Sequence, residues 1–317
     1  PAFQGTWKVA DRWRIGLGAN APFGLETEWP IGTFPQLSAP IGPFPPGVFH
    51  PTSSSLELFS VVPTAAFKVT DAFSLSAGAD YYYVRKVVLN TYLVDIRGDG
   101  DGWGWNLGAM YRNGPFSVGA SFHSQATVDV DGDFTSFGSP SIDADADLDL
   151  PSRFQLGVRY EFSAQLAAEI DWTRSGWSNF EEILVTSSAT GAVLTRSVNN
   201  WDDANAYRLG LTYELTPSTQ LRFGYTYDET GQPSEFFSAR IPDADRQTFS
   251  IGAAHNLDGG WQLEGGYMYV TWDDNNFRGN RPFNPLLNRD VNGTSALNGK
   301  YEATAHILGI GVNKTFM

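Results

Sequence analysis

The chain contains no cysteine, which rules out disulfides, thiol nucleophiles and thiolate metal sites. It has no run of 18 apolar residues, so no segment crosses a membrane as a helix. Basic residues are scarce: 21 Lys and Arg against 35 Asp and Glu give a net charge of −14. A phosphate backbone needs a basic stripe, so nucleic acid is excluded as a partner. There are only four histidines, and His50, His255 and His306 show no spacing with Ser or Asp that would assemble a nucleophile and base. His123 shares a face with Ser121, but such same-face pairs arise readily by chance. The expectation is a protein that is not an enzyme and carries no cofactor or metal. No secretory leader opens the sequence, so a mature or truncated form of an exported protein is expected.

Aromatic residues are abundant, with 10 Trp, 13 Tyr and 22 Phe among 317 residues. The mean hydropathy of −0.25 does not exclude a membrane barrel, because only alternate residues of a barrel strand meet lipid. Period-two alternation is clear in several segments. In Arg153–Phe162, Phe154, Leu156, Val158, Tyr160 and Phe162 share one face, and Arg153, Gln155, Gly157, Arg159 and Glu161 the other. The segments 166–173, 207–227 and 261–271 repeat the pattern. A soluble sandwich would alternate too. Here, however, the apolar faces end in aromatics, and the polar faces carry charges of both signs, as a wet lumen allows.

The connections alternate between tight and long. Tight turns fall at Ala10-Asp11, Thr70-Asp71-Ala72, Asn113-Gly114, Ser163-Ala164-Gln165, Thr216-Pro217-Ser218 and Asp258-Gly259-Gly260. Long polar or Pro-rich loops are expected near 26–53, 91–101, 131–148, 176–203, 230–244 and 273–299. Short periplasmic turns and long outer loops are the layout of an outer-membrane barrel. The fold class is therefore all-β: a single transmembrane up-and-down antiparallel barrel domain over 1–317 with about thirteen strands, the odd count pointing to one more N-terminal strand.

The stretches Gly16-Leu17-Gly18-Ala19-Asn20-Ala21-Pro22-Phe23-Gly24-Leu25, Trp172-Thr173-Arg174-Ser175-Gly176-Trp177-Ser178-Asn179-Phe180, Ala206-Tyr207-Arg208-Leu209-Gly210 and Ile241-Pro242-Asp243-Ala244-Asp245-Arg246 resemble, in order and spacing, the FadL family. Its members are outer-membrane transporters of long-chain fatty acids and, in the TodX branch, of aromatic hydrocarbons. The resemblance implies a fourteen-strand barrel with an N-terminal hatch, of which this chain would hold strands two to fourteen and lack the hatch. It implies passive uptake and a lateral exit at a kinked strand, here Asn20–Leu25. Pro22 cannot donate a ladder hydrogen bond and Gly24 weakens a strand, so Asn20, Pro22 and Gly24 are the candidate opening; the alternative is that Pro22 ends the strand. Arg196 lies close to a position where the family lines its pocket with a basic residue, and Arg85 and Arg97 flank a second such position, here Asn90.

Further candidates come from the residues themselves. The loop at 30–51 is Pro-rich and carries Phe34, Phe44 and Phe49, either a hydrophobic landing surface or a small core of the loop's own. A fatty carboxylate calls for a cation, for which Arg85, Arg97 and Arg196 are the candidates, unless they pair with acidic neighbours. Asp129, Asp131 and Asp133 precede Asp143, Asp145, Asp147 and Asp149, a pattern read as a solvated acidic loop rather than a divalent-ion site. Asp99-Gly100-Asp101-Gly102 lacks the Glu that would complete a calcium loop. Expected partners are a long-chain fatty acid or other hydrophobic small molecule, lipopolysaccharide and outer-membrane lipid, and the outer-membrane assembly machinery, with the barrel a monomer. A general porin, an adhesive barrel or, more remotely, a barrel lipase are the alternatives.

Overall fold

The computed structural model describes residues 2–286 and 289–316. Its strands are β1 (Phe3–Lys8), β2 (Trp13–Glu28), β3 (Pro51–Lys68), β4 (Phe73–Thr91), β5 (Val94–Asn113), β6 (Phe116–His123), β7 (Ala126–Ser136), β8 (Ile142–Leu150), β9 (Ser152–Glu161), β10 (Leu166–Gly176), β11 (Glu182–Ser187), β12 (Val193–Val198), β13 (Ala204–Thr216), β14 (Thr219–Asp228), β15 (Arg246–Asn256), β16 (Trp261–Trp272), β17 (Asn275–Phe277), β18 (Gly299–Tyr301) and β19 (Thr304–Lys314). Neighbours pair antiparallel, from β1 with β2 round to β16 with β19. β5 pairs with both β6 and β7, and β9 continues β8 past Pro151, so each of these couples is one path through the wall. Setting aside the β11–β12 hairpin and the separate β17–β18 pair and counting each couple once leaves thirteen wall strands among the described residues. No register joins β1 to β19 among them.

Alternation decides which side of the wall is apolar. On β13 the exposed side chains Tyr207, Leu209, Leu211, Tyr213 and Leu215 face outward. On β19 Leu308 and Ile310 are 82% and 87% exposed to the surroundings. Each such side chain is about 1.5–3 kcal/mol better off in hydrocarbon than in water, so this surface requires lipid. The lumenal face is a hydrogen-bonded polar lattice instead. Arg159 reaches Glu169 at 3.3 Å, and Arg222 reaches Glu264 at 3.2 Å. The lattice fits because glycines stand opposite its larger members. A Cβ on Gly157 would fall 2.2 Å from Asp171 Oδ1.

Two stretches expected as loops are strands. The segment 94–101 opens β5, and 131–148 is mostly β7 and β8, leaving short turns near 92–93 and 137–141. The aspartates that suggested loops occupy only one face. Their alternates Ile96, Val128, Val130 and Ala144 are buried inside the wall. Gly98, Gly100 and Gly102 leave no room for a Cβ against β7, which draws Val128 and Val130 into one cluster with Leu58 and Val84. Above the wall the outer loops fold together. Phe34, Leu37, Phe237, Ala239, Phe277, Ala296 and Leu297 form a buried cap, with Trp29, Phe49, Phe283 and Tyr301 packed on it.

Candidate functional site

Beneath the cap lies a cavity of about 980 Å³ whose wall draws on β2, β3, β7, β8, β10 and the loops after β10 and β14. Its wall is irregular at β2. Asn20 pairs with Ser60, but the next pair is Phe23 with Leu58, so β2 carries one extra residue at Ala21-Pro22. Pro22 has no N–H to donate, and such an insertion bends a strand and interrupts its ladder. Ser60 Oγ donates to Asn20 Oδ1 at 2.5 Å and secures the lower edge of the bulge. Pro22, Phe23 and Gly24 line the cavity, and nothing lies within 4 Å of where a Gly24 Cβ would stand.

Facing the bulge is an aromatic wall. Phe23 meets Trp177 at 5.7 Å between ring centroids, Trp177 meets Trp201 at 5.2 Å, and Phe180 meets Trp201 at 5.4 Å. The short helical turn Trp177–Asn179 after β10 places these rings, and Trp201 follows the β11–β12 hairpin. The floor is polar. Asp80 is fully buried, accepts a bond from Asn106 Nδ2 at 2.8 Å, and lies 2.8 Å from His123 Nδ1. Asp80 thus takes up the His123 Nδ1 that a Ser121 partnership would have called on.

The roof side carries an arginine. Arg240 lines the cavity from the loop between β14 and β15. Its Nη1 donates to Ser54 Oγ and to the Asn90 carbonyl, each at 3.1 Å. Thr27 Oγ1 donates to its backbone carbonyl at 3.1 Å. Burial pushes this guanidinium down to about 10, still cationic at neutral pH. Nothing in local sequence marks Arg240, because its burial depends on residues far away in the chain. Only its place just ahead of Ile241-Pro242-Asp243 was a signal.

The structure distributes the candidates from the sequence among different places. Pro22 and Gly24 come together at the cavity, and Asn20 lies at the base of the same bulge. Arg97 lines the cavity margin and bonds Asp95 twice at 2.8 Å. Arg85 lies 3.6 Å from Glu57, and Arg196 pairs with Glu182; both are exposed and neither lines the cavity. Phe34 is buried in the cap. Phe49 packs on Phe44 and Phe283, each at 5.1 Å, and Arg289 stands 5.6 Å over the Phe44 ring. Asp243 and Asp245 brace the loop. Thr230 Oγ1 donates to Asp243 at 2.7 Å and Tyr227 to Asp245 at 2.6 Å. The acidic residues form cross-strand rows on the outer face, Asp101 beside Asp129 beside Asp147, and Asp99 beside Asp131 beside Asp145. Among the described residues no group of three carboxylates or histidines is arranged to hold a metal ion.

Residues 1–316 match the family described as outer membrane protein transport protein, OMPP1/FadL/TodX. The chain belongs to that family. It is similar to the 47 kDa outer membrane protein of Pasteurella multocida, 23% identical over all of this chain and 76% of that protein. It is likewise similar to the long-chain fatty acid transport protein of Escherichia coli K12, 23% identical over 84% of this chain and 58% of that one. The crystal structure of a Pseudomonas aeruginosa FadL homologue shares the fold, with a TM-score of 0.74 at 18% identity over 98% of this chain and 76% of that one. Membership makes this FadL-family chain a multi-pass outer-membrane β-barrel and a transport protein rather than an enzyme.

Proposed function

We propose that this FadL-family barrel takes up long-chain fatty acids or related hydrocarbons passively, holds them in the cavity under the cap, and releases them sideways through the wall at Asn20–Gly24. The observation that carries this reading is that the bulge in β2 adjoins the aromatic wall, so the apolar end of the cavity lies against an interrupted stretch of ladder. Below it an apolar ligand would have to pass Asp80 and His123, then the Arg159–Glu169 lattice. Taking hydrated polar groups out of water costs several kcal/mol each. Moving sideways into hydrocarbon instead gains about 0.8 kcal/mol for each CH₂ removed from water. Passive movement down that gradient needs no cofactor and no energy source.

The test is competition in a non-ionic detergent. The purified full-length protein is loaded with a fluorescent fatty acid, and oleate and toluene are titrated against it. Displacement by either supports a hydrophobic substrate cavity. Displacement by neither, together with passage of sugars in liposome swelling, would move the protein to the open-porin class.

A further inference from the structure

We propose that the wall holds a second side port, between β8 and the turn after β10, through which an acyl chain passes between the outer aromatic belt and the cavity; this rests on the reading of the cavity as the substrate site. The edge of β8 and β9 that faces β10 and β11 carries two separate ladders. Residues 144–146 pair with 185–187, and pairing resumes only at Ser152 with Gly176. Between these ladders, residues 147–151 meet no strand on this edge among the described residues, and the helical turn Trp177–Asn179 lies opposite. Pro151 has no N–H to offer a partner there. Asn179 spans the gap, its Nδ2 donating to the Leu150 carbonyl at 2.9 Å. Asn179 Oδ1 and Trp201 Nε1 are buried with no hydrogen-bond partner. Buried groups left unpaired penalise the closed arrangement, so water reaching them favours opening.

The apolar face of the wall changes sides at this level. Alternate residues of a strand share a face, yet Leu148 and Leu150 line the cavity whereas Leu156 and Val158 are exposed to lipid. The chain therefore turns over near Pro151. The neighbouring path turns over with it. His123 pairs with Asn106 and Val128 with Gly102, so five steps along β6 and β7 match four along β5. Ser124 closes this bulge, its Oγ accepting from the Trp105 amide at 3.0 Å. Trp103 and Trp105 point outward, so the interruption lies at the level of the aromatic belt. Phe154 and Trp172 meet at 5.8 Å on the lipid face, just below the gap. An apolar track thus runs from this pair past Pro151 to Leu150 and Trp177 at the cavity. From above, a ligand would have to open the cap, where Phe34, Leu37 and Leu297 are buried together. From the side it has only to shift one short turn.

The chain has no cysteine, so Leu150→Cys with Asn179→Cys supplies a unique pair of thiols, joined by a short reducible bis-methanethiosulfonate linker. The full-length protein in a non-ionic detergent is loaded with a fluorescent fatty acid, and release of the probe is timed after addition of excess oleate. The linked form should release about three- to tenfold more slowly than the same protein after reduction, with equilibrium affinity within about threefold. Asn179→Asp removes the donor and sets a carboxylate against the Leu150 carbonyl, and should speed both loading and release by about three- to tenfold. Both effects should persist when Pro22→Thr with Gly24→Val fills the β2 bulge. Heat-modifiable migration of each variant verifies that the barrel has folded. Equal release by the linked and reduced forms, or an effect lost once the β2 bulge is filled, would overturn the port while leaving the cavity as the substrate site. Failure of the unchanged protein to hold the probe would overturn the cavity reading itself.

Discussion

Phe23 stands edge-on to Trp177, 5.7 Å between centroids and 69° between planes. The contact joins the bulged strand β2 to the turn that follows β10. It is therefore a strut across the point where the wall is proposed to open. An aromatic pair of this kind contributes about 0.5–1.5 kcal/mol beyond its buried area.

Phe23→Ala removes both the strut and a large piece of the apolar wall. Binding of a hydrophobic probe should weaken by roughly two- to tenfold, and Phe23→Trp should restore most of it. The dissociation constants in detergent decide. An alanine variant with unchanged affinity would show that ligand does not touch this wall.

The bulge is testable from the other direction. Pro22→Thr with Gly24→Val supplies the missing N–H and two residues suited to a strand. Uptake of labelled oleate by cells should fall several-fold while equilibrium binding in detergent stays within about threefold, since the cavity is retained. Equal uptake by the variant would argue against a lateral exit.

The rows Asp101–Asp129–Asp147 and Asp99–Asp131–Asp145 set like charges directly opposite one another. Such neighbours repel, and the repulsion is screened by salt. Asp131→Asn should stabilise the outer part of the wall by about 0.2–1 kcal/mol at low salt. The gain should shrink at 1 M salt, as read from protease nicking near 137–141. Destabilisation by the substitution would mean that Asp131 has a partner beyond its acidic neighbours.

Asp243 titrates in the loop above the cavity. Burial outweighs the bond from Thr230 and the attraction of Arg246, and holds its carboxyl above the ordinary 3.8. The folded state thus binds this proton more readily than the unfolded chain, so stability falls as pH rises from about 4 through the folded value. Above that value the penalty of the ionised form is fully present. Asp243→Asn should flatten this dependence and leave the loop no less stable at pH 7. Limited proteolysis of the 229–245 loop between pH 4 and 8 measures both.

Alternation and turn spacing were enough to read the barrel, its thirteen strands and its outward aromatic faces. These depend on local periodicity, as in 207–215 and 221–227, where every second residue is apolar. The same signal lay in 126–150, where Val128, Val130 and Ala144 alternate with aspartates, but charge density made that stretch look like a loop. The Pro22 and Gly24 irregularity was legible because proline and glycine change backbone chemistry wherever they stand. The sequence alone therefore determined location, topology and the place of the irregularity in β2. Only the tertiary structure decided which arginines reach the cavity and which of them meet a carboxylate. Arg85, Arg97 and Arg196 resemble Arg240 as letters, yet each meets a carboxylate two to twenty-eight positions away. Arg240 meets Ser54 and Asn90 across 186 and 150 positions. Whether a charge is neutralised depends on what surrounds it in space, and for Arg240 those neighbours are assembled only when β3 and β4 pair and the loop after β14 folds over them.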